Sequence, residues 1–420
     1  MGREKTFRIH LDPDLIERFD DSLDRHEHIS EQISFVEKAF EKKKYRGVPA
    51  WDCICTCVHR IRDGVAYLNK QELGRMECGS AFDFINFINN ASVVLDCIQM
   101  LADILGVDLK EENSRSTVFN MVGSDGKGTD KKYYEFLRSL CAVHPSGTDR
   151  HRRYQGADMV SCPYLIWTHT SPMPMPIAWG ACDIHAHAFV NEANSWGEDV
   201  CIRISQVFAY VEYRYSLLGK IESALERYHE SEIQRFRSIP VSGMGRGETE
   251  LDFIDRLKGV EEERLGPENA FLYDFAKKVV SFAPSNPCNA EAAKRYANAW
   301  RFALDRRLTA LRDMSFDDVD LIEQLIDCRC QCKDLDNYSY NLEKLDYLNG
   351  DYGRCDVEWG KAKLLEMCEI LGARISLVNA KDDELYLLSR IALYEIALLH
   401  PGYINEVIPR DLAYRPKDAM

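Results

Sequence analysis

The sequence predicts a mainly α-helical protein: an N-terminal helical bundle that carries a small antiparallel β insertion, and a C-terminal all-helical domain. Three observations lead to this prediction. Apolar residues recur at three- and four-residue spacing over most of the 420 residues, which is the period of an amphipathic helix. The middle third instead alternates apolar and polar residues, as half-buried strands do. A flexible segment, SIPVSGMGRGETE, separates the two helical parts.

The N-terminal part contains four predicted helices. The apolar spacing places the first three near 13–43, 52–72 and 81–107. Asp12 followed by Pro13 is a typical helix start, because the carboxylate can cap the first N–H groups and proline suits the first helical position. The fourth helix begins near Asp130 and ends before the proline at 145, since proline stops the hydrogen-bond ladder.

The β insertion is predicted at about 158–206. Its three alternating stretches are CPYLIWTHT, ACDIHAHAFV and EDVCIRIS, separated by turn-forming segments. A long helix follows from Gln206 to Arg237, so we place the N-terminal domain at 1–240 and the C-terminal domain at 250–420. The helices predicted in the C-terminal domain are 267–283, 289–312, 316–347, 357–372 and 382–399.

Charge and cysteine content limit the function classes. The 53 Lys and Arg residues against 68 Asp and Glu give a net charge of −15, which excludes coating of nucleic acid by the whole surface. The N-terminus has no apolar signal region, and every apolar run is interrupted by polar residues before it reaches the length of a membrane span. We therefore expect a cytoplasmic protein without a membrane partner, whose fifteen cysteines are mostly free, buried thiols.

One segment has a net charge opposite in sign to that of the whole chain. Residues 127–153 contain seven Lys or Arg against three Asp or Glu, a local net charge of +4. Basic residues interleaved with tyrosines are typical of a surface that contacts phosphates and stacks bases. The RNA-binding residues predicted on this basis are Lys131, Lys132, Tyr134, Arg150, His151, Arg152 and Arg153. The alternative is a solvated basic face, or an internal partner for an acidic helix.

The same segment contains the candidate catalytic residues Arg138, Ser139 and His144. Metal-free RNA cleavage needs a group that moves protons near neutral pH and a cation that holds the phosphate, and histidine and arginine supply these. Six residues along a helix leave Arg138 and His144 about 120° apart. They can converge only if the helix unwinds near His144, and Ser139 would then brace Arg138 or position a water. The alternative is that Arg138 pairs with a carboxylate and His144 caps the helix.

The pattern of arginine, a polar residue, four further residues and histidine resembles the signature of the HEPN superfamily. The resemblance covers 13–145 and the helix at 206–237. It implies a helical bundle that forms homodimers around a composite cleft, and a metal-independent endoribonuclease of a bacterial defence or toxin system with no cofactor. Members often have Asn, Asp or His after the arginine, where this chain has Ser139. Other members are inactive binding modules, so the alternative function is a non-catalytic helical interaction protein whose acidic C-terminal half binds a protein partner.

Two further patterns have the residue types of a metal site. The cysteines of Cys53-Ile-Cys55-Thr-Cys57-Val-His59 and of Cys328-Arg-Cys330-Gln-Cys332 recur at two-residue steps. On a helix only the first and third of each set share a face, so we interpret both sets as small buried residues. His185 and His187 share one face of a predicted strand, but no accompanying acidic motif is visible, and sheet packing is the preferred interpretation. We therefore predict no metal ligands.

Overall fold

The computed structural model describes residues 5–23, 35–75, 81–143, 150–155, 160–170, 182–190, 197–266, 269–317, 319–349 and 354–409. The fold is mainly α-helical with a small β insertion, as predicted. The described residues divide into two compact units: the first holds 5–23 and 36–230, and the second holds Phe35 and 231–409. The division after Glu230 falls inside a long helix, ahead of the flexible segment at 238–250.

The first unit is built on helices. In chain order they are α1 (Pro13–Leu23), α2 (Phe35–Glu41), α3 (Ala50–Lys70), α4 (Phe82–Leu105), α5 (Lys110–Ser114), α6 (Asp130–Arg138) and α7 (Ile204–Ser238), of which the residues up to Glu230 belong to this unit. The boundaries of α3, α4 and α7 match the predictions to within two residues. The Asp12 carboxylate accepts a hydrogen bond from the backbone N–H of Asp14 at 3.0 Å, which confirms the predicted cap of α1. Helices α1 and α2 occupy the described part of the predicted helix at 13–43 except for residues 42 and 43, which are not helical.

A short hairpin before α3 was not predicted. Strands β1 (Lys44–Tyr45) and β2 (Val48–Pro49) pair antiparallel around a two-residue turn. Both turn residues, Arg46 and Gly47, have positive φ angles, of 50° and 89°. This is the backbone of a type I′ turn, whose twist matches that of paired strands.

The β insertion is a three-stranded antiparallel sheet, as predicted. Its strands are β3 (Val160–Trp167), β4 (Ile184–Val190) and β5 (Glu198–Ile202), in the spatial order β3-β4-β5. One face packs into the core of the first unit: Ile184, Ala186 and Ala188 of β4 are buried there. Because side chains alternate along a strand, His185 and His187 lie on the opposite face.

Helix α4 forms part of the same core. By length and composition it is the one helix among the described residues that could cross a membrane, but 56% of its most apolar window is buried. Its aromatic residues Phe84 and Phe87 are buried in the cluster that also contains Ile54 of α3. We therefore assign α4 as a core helix of the first unit.

The second unit is helical throughout its described residues. It contains α8 (Glu250–Arg264), α9 (Ala270–Val280), α10 (Ala290–Asp313), α11 (Leu321–Asp327), α12 (Lys333–Asp336), α13 (Ser339–Lys344), α14 (Arg354–Glu366), α15 (Cys368–Leu371), α16 (Leu385–Ala397) and α17 (Tyr403–Val407). The prediction of one continuous helix over 316–347 is wrong. Helix α11 ends because Cys328 adopts a left-handed conformation with φ of 52°, a conformation that stops a helix. Helix α8 was not predicted individually.

A buried polar network holds three of these helices together. Arg307 of α10 forms ion pairs with Glu261 of α8, at 3.3 Å, and with Asp320 ahead of α11. Glu261 also accepts hydrogen bonds from the Tyr273 hydroxyl and, at 2.9 Å, from the Asn269 side chain. Burial raises the pKa of Tyr273 well above 10, and the neighbouring Glu261 carboxylate adds to the increase. Each charged group in this network therefore has a partner, which buried charges require.

Candidate functional site

Helix α6 carries the predicted catalytic arginine, and its first turn is firmly anchored. The Thr129 side chain caps the helix by accepting from the Lys132 N–H. Asp130 is buried, and its carboxylate accepts hydrogen bonds from the backbone N–H groups of Thr117, Val118 and Phe119 at 2.8 to 3.2 Å. One side chain thus fixes the preceding loop to the start of α6.

We expect Asp130→Ala to destabilise the first unit by about 1–3 kcal/mol, because it leaves the N–H groups of Thr117, Val118 and the buried Phe119 without an acceptor. Urea unfolding followed by circular dichroism measures this change. Asp130→Asn keeps one oxygen acceptor, so it is expected to lose less unfolding free energy than Asp130→Ala. Equal losses for the two variants would contradict the role assigned to the hydrogen bonds.

Arg138 is the last residue of α6 and reaches the surface. Its Nη1 lies 3.4 Å from the Asp96 carboxylate of α4, with 37% of the Arg138 side chain and 71% of the Asp96 side chain exposed. Its buried Nε has no hydrogen-bond partner among the described residues. The chain continues as a π-helical turn, Ser139–Val143, so regular α-helical geometry ends directly after Arg138.

Of the other two predicted catalytic residues, the structure describes Ser139 but not His144. Ser139 is buried, and its hydroxyl oxygen has no hydrogen-bond partner within the described part of the chain. It lies next to Arg138 in sequence without a hydrogen bond to it in these residues. His144 lies outside the described residues, so the geometry of the predicted catalytic pair is defined on the Arg138 side only.

One member of the predicted RNA-binding set is wrong. Tyr134 is buried in the core, and its hydroxyl donates to the carbonyl of Ile88 at 3.3 Å. Burial raises its pKa, and the hydrogen bond with Ser92 partly opposes this increase. Because the ring is covered on all sides, Tyr134 cannot stack on a base. The basic composition of this segment did not reveal that both tyrosines of α6, Tyr133 and Tyr134, face the core.

The basic segment 150–155 packs onto α6. Tyr154 contacts the rings of Tyr133 and Phe136, with centroid separations of 5.1 and 5.4 Å, and His151 contacts Phe136 at 5.9 Å. The structure therefore brings His151, Arg152 and their neighbours beside the helix that ends in Arg138.

The cations of this set differ in their surroundings. Arg150, Arg152 and Lys132 are exposed, Lys131 is half-buried, and the Lys132 ammonium donates to the carbonyl of Lys127 at 3.1 Å. Arg153 donates to both oxygens of Asp125, at 2.6 and 2.7 Å. The Arg153 guanidinium lowers the pKa of Asp125 to about 2. Arg153 is thus held by a bidentate ion pair that a phosphate would have to displace.

The cysteine sets differ from each other. Cys53, Cys55 and Cys57 lie on α3, and the buried Cys57 thiol contacts the Met100 sulfur of α4 at 3.5 Å. Cys57 therefore agrees with the interpretation as a small buried residue, whereas Cys53 and Cys55 are only half-buried. Cys328 and Cys332 are buried as well, but they do not lie on a helix, because the chain between α11 and α12 is irregular.

A second group of chemically active side chains lies on the face of the sheet opposite the core. One carboxylate oxygen of Asp199, on β5, is 2.9 Å from Nε2 of His185 and 2.7 Å from Nδ1 of His187, both on β4. His185 is buried, whereas Asp199 is partly exposed. Burial raises the pKa of Asp199, but the hydrogen bonds from His187 and His185 outweigh burial and leave it below its usual value.

Sequence reasoning missed the acidic member of this group. Asp199 pairs directly with His187 in the β4-β5 register, so aligning the two predicted strands as a hairpin would have found it. Cys182, just before β4, forms a disulfide with Cys201 of β5. The prediction of free thiols is therefore wrong for these two cysteines, which lie close enough to be linked because Cys182 closely precedes β4, the strand that pairs with β5.

Two places on the first unit thus carry chemical groups at the surface: the end of α6 with the adjoining basic segment, and the imidazole–carboxylate group of the sheet. They are the basis on which a function can be assigned. Comparison with protein-family models, with curated proteins and with solved structures gives no match for this chain.

Proposed function

We propose that this chain is a HEPN-like, RNA-directed protein that cleaves RNA without a metal ion, with Arg138 and His144 as its catalytic pair. The observation that carries the proposal is the position of Arg138, at the surface end of α6 and directly before the π-helical turn Ser139–Val143. Convergence of the pair on one phosphate requires the helix to depart from α geometry between them. Such turns are frequent at functional sites.

The chemistry assigns a role to each residue. In metal-free cleavage the 2′-oxygen loses its proton and attacks phosphorus, the bond to the 5′-oxygen breaks, and that oxygen gains a proton. His144 takes or supplies a proton, since imidazole titrates near neutral pH. Arg138 stays charged and holds the phosphate oxygens. The products are a 2′,3′-cyclic phosphate and a 5′-hydroxyl.

The surroundings of Arg138 are compatible with phosphate binding. Its ion pair with Asp96 is long and exposed, and such pairs contribute roughly 0–1 kcal/mol. A phosphate that accepts from two guanidinium N–H groups binds more strongly than this pair. The exposed Arg150 and Arg152 lie in the segment packed on the same helix and supply further positive charge for the RNA backbone.

The resemblance to HEPN proteins extends the proposal. We infer a homodimer acting in the cytoplasm as part of a bacterial defence or toxin system. The RNA sequence that is cut is set by groups other than Arg138, because a guanidinium on a phosphate carries no base information.

The test is cleavage of total RNA by the purified full chain in the presence of a chelator. We expect His144→Ala to lower the cleavage rate at least about a hundredfold, as loss of a general acid or base does. Arg138→Lys keeps the charge but loses the planar two-point contact. Its cleavage rate is therefore expected to lie between those of wild type and Arg138→Ala. The control is His10→Ala, at an exposed histidine ahead of α1. An unchanged rate in His144→Ala, or products without cyclic phosphate ends, would overturn the assignment.

A second candidate function is a non-catalytic helical interaction protein whose acidic second unit binds a protein partner. The Arg138–Asp96 ion pair favours it, because a structural arginine is expected to contact a local carboxylate. This candidate predicts that the wild-type chain leaves RNA intact at every concentration tested. It also predicts that Asp96→Asn, which releases Arg138, does not change RNA binding, whereas the endoribonuclease proposal predicts tighter binding.

A further inference from the structure

The imidazole–carboxylate group of the sheet has the composition of a transition-metal site. His185, His187 and Asp199 each offer one ligand atom, and the three atoms lie within 4.8 Å of one another. Both imidazole nitrogens point at the same oxygen of Asp199, at 2.9 and 2.7 Å. Two ligands that are each 2.0–2.1 Å from a tetrahedral ion lie about 3.3 Å apart. For these two nitrogen–oxygen pairs an ion therefore needs separations only a few tenths of an ångström wider than those observed, and the two nitrogens lie within 4.8 Å of each other.

We propose that His185, His187 and Asp199 bind one zinc ion. The donor set selects the metal class: two nitrogens and one carboxylate oxygen suit zinc, whereas calcium and magnesium prefer oxygen ligands alone. The described residues supply three ligands, and tetrahedral zinc takes four. This count leaves one coordination position for water or an anion, as in zinc sites with three protein ligands.

The backbone holds the ligands in place before an ion arrives. His187 and Asp199 are direct cross-strand partners, and His185 pairs with Cys201, which is linked to Cys182. The opposite face of β4 is buried through Ile184, Ala186 and Ala188, so the strand cannot slip by one residue without exposing them. Register and cross-link together keep the three ligand atoms on one face.

Gly197 determines which nitrogen of His187 faces the site. A Cβ at this position would lie 2.8 Å from Nε2 of His187 and 2.4 Å from the carbonyl of Ala188, and the φ angle is +98°. Only glycine allows this close approach at such an angle. With Nε2 against the backbone of Gly197, Nδ1 is left to face Asp199, where it acts as the ligand.

The experiment measures zinc bound to the full chain after chelator treatment, dialysis against zinc chloride and elemental analysis. Wild type is expected to retain about one equivalent more than His187→Ala or Asp199→Asn. Affinity should fall by more than the ten- to hundredfold loss that accompanies removal of a mere supporting group. Asp199 and His187 are partly exposed, with 41% and 28% of their side chains accessible, so both variants are expected to fold. Circular dichroism checks this.

Two controls separate this site from others in the chain. Cys53→Ser, on α3, and His10→Ala are expected to bind zinc as wild type does. Cobalt(II) in place of zinc gives the second readout: ligation by nitrogen and oxygen produces visible bands without the intense near-ultraviolet charge transfer of cobalt–thiolate bonds. The proposal is overturned if wild type retains no zinc, if His187→Ala and Asp199→Asn retain as much as wild type, or if the thiolate band appears. Because RNA cleavage is assayed in chelator, failure of either proposal leaves the other standing.

Discussion

Replacing Arg307 by alanine is expected to destabilise the second unit by about 3–5 kcal/mol, since removing one partner of a buried ion pair leaves the other charge uncompensated. Arg307 contacts both Glu261 and Asp320 and is buried. Burial lowers the pKa of Arg307, but the carboxylates of Glu261 and Asp320 outweigh burial and leave it raised. The guanidinium is thus charged in the folded state. Its removal leaves the carboxylates of Glu261 and Asp320 without their positively charged partner.

The neighbouring residue provides the control for this variant. Arg306 is on the same helix and pairs with Asp317 at the surface, so Arg306→Ala is expected to cost less than about 1 kcal/mol. Urea unfolding combined with hydrogen exchange of peptides from each unit measures both changes and assigns them to a unit. A cost for Arg307→Ala no larger than that for Arg306→Ala would contradict the assigned role of the network.

The second large effect is expected for Trp167→Ala in the first unit, again about 3–5 kcal/mol, the range for truncating a buried aromatic side chain. Trp167 of β3 is 0% exposed. Its indole N–H donates to the carboxylate of Asp83 on α4 at 3.0 Å, and its ring stacks on Phe7 with centroids 5.7 Å apart. The substitution creates a cavity and removes the hydrogen bond that ties the sheet to the start of α4.

Tyr164 lies on the same strand and is 58% exposed, so Tyr164→Ala is expected to change the free energy of unfolding by less than about 0.5 kcal/mol. Trp167→Phe retains a ring but not the N–H donor, so its loss of unfolding free energy is expected to lie between those of Trp167→Ala and Tyr164→Ala. The same urea and hydrogen-exchange measurements apply. If Trp167→Ala left the exchange of β3 and β4 peptides unchanged, this residue would not be what attaches the sheet to the core.

Helices α3, α4 and α7 were predictable because each has a continuous apolar stripe. Their boundaries follow from the three- and four-residue period alone. The failure at 316–347 has a local cause: the apolar period continues past Cys328, but the left-handed conformation of that residue ends α11. No side-chain pattern predicts this end of α11, because cysteine rarely adopts a positive φ angle.

Residues of the candidate sites were predictable where they lie close together in the sequence, and not where only the fold brings them together. Arg138 and the basic segment could be found because they lie within 27 residues of sequence. Tyr134 was misassigned because burial depends on Ile88 and Ser92 of another helix. Asp199 was missed because its relation to His185 exists only through strand pairing, which sequence spacing does not show.

The π-helical turn after Arg138 also restricts how this segment can change in length. A π turn contains an extra residue compared with an α turn, so deleting one residue from Ser139–Val143 would restore the phase of the α-helix. Such a deletion would also shorten the sequence spacing from Arg138 to His144, on which the proposed pair depends, from six residues to five. Leu140 and Cys141 are buried, and apolar residues of similar volume can replace them without altering this spacing. What the segment has to preserve is the number of residues between Arg138 and His144, more than their identity.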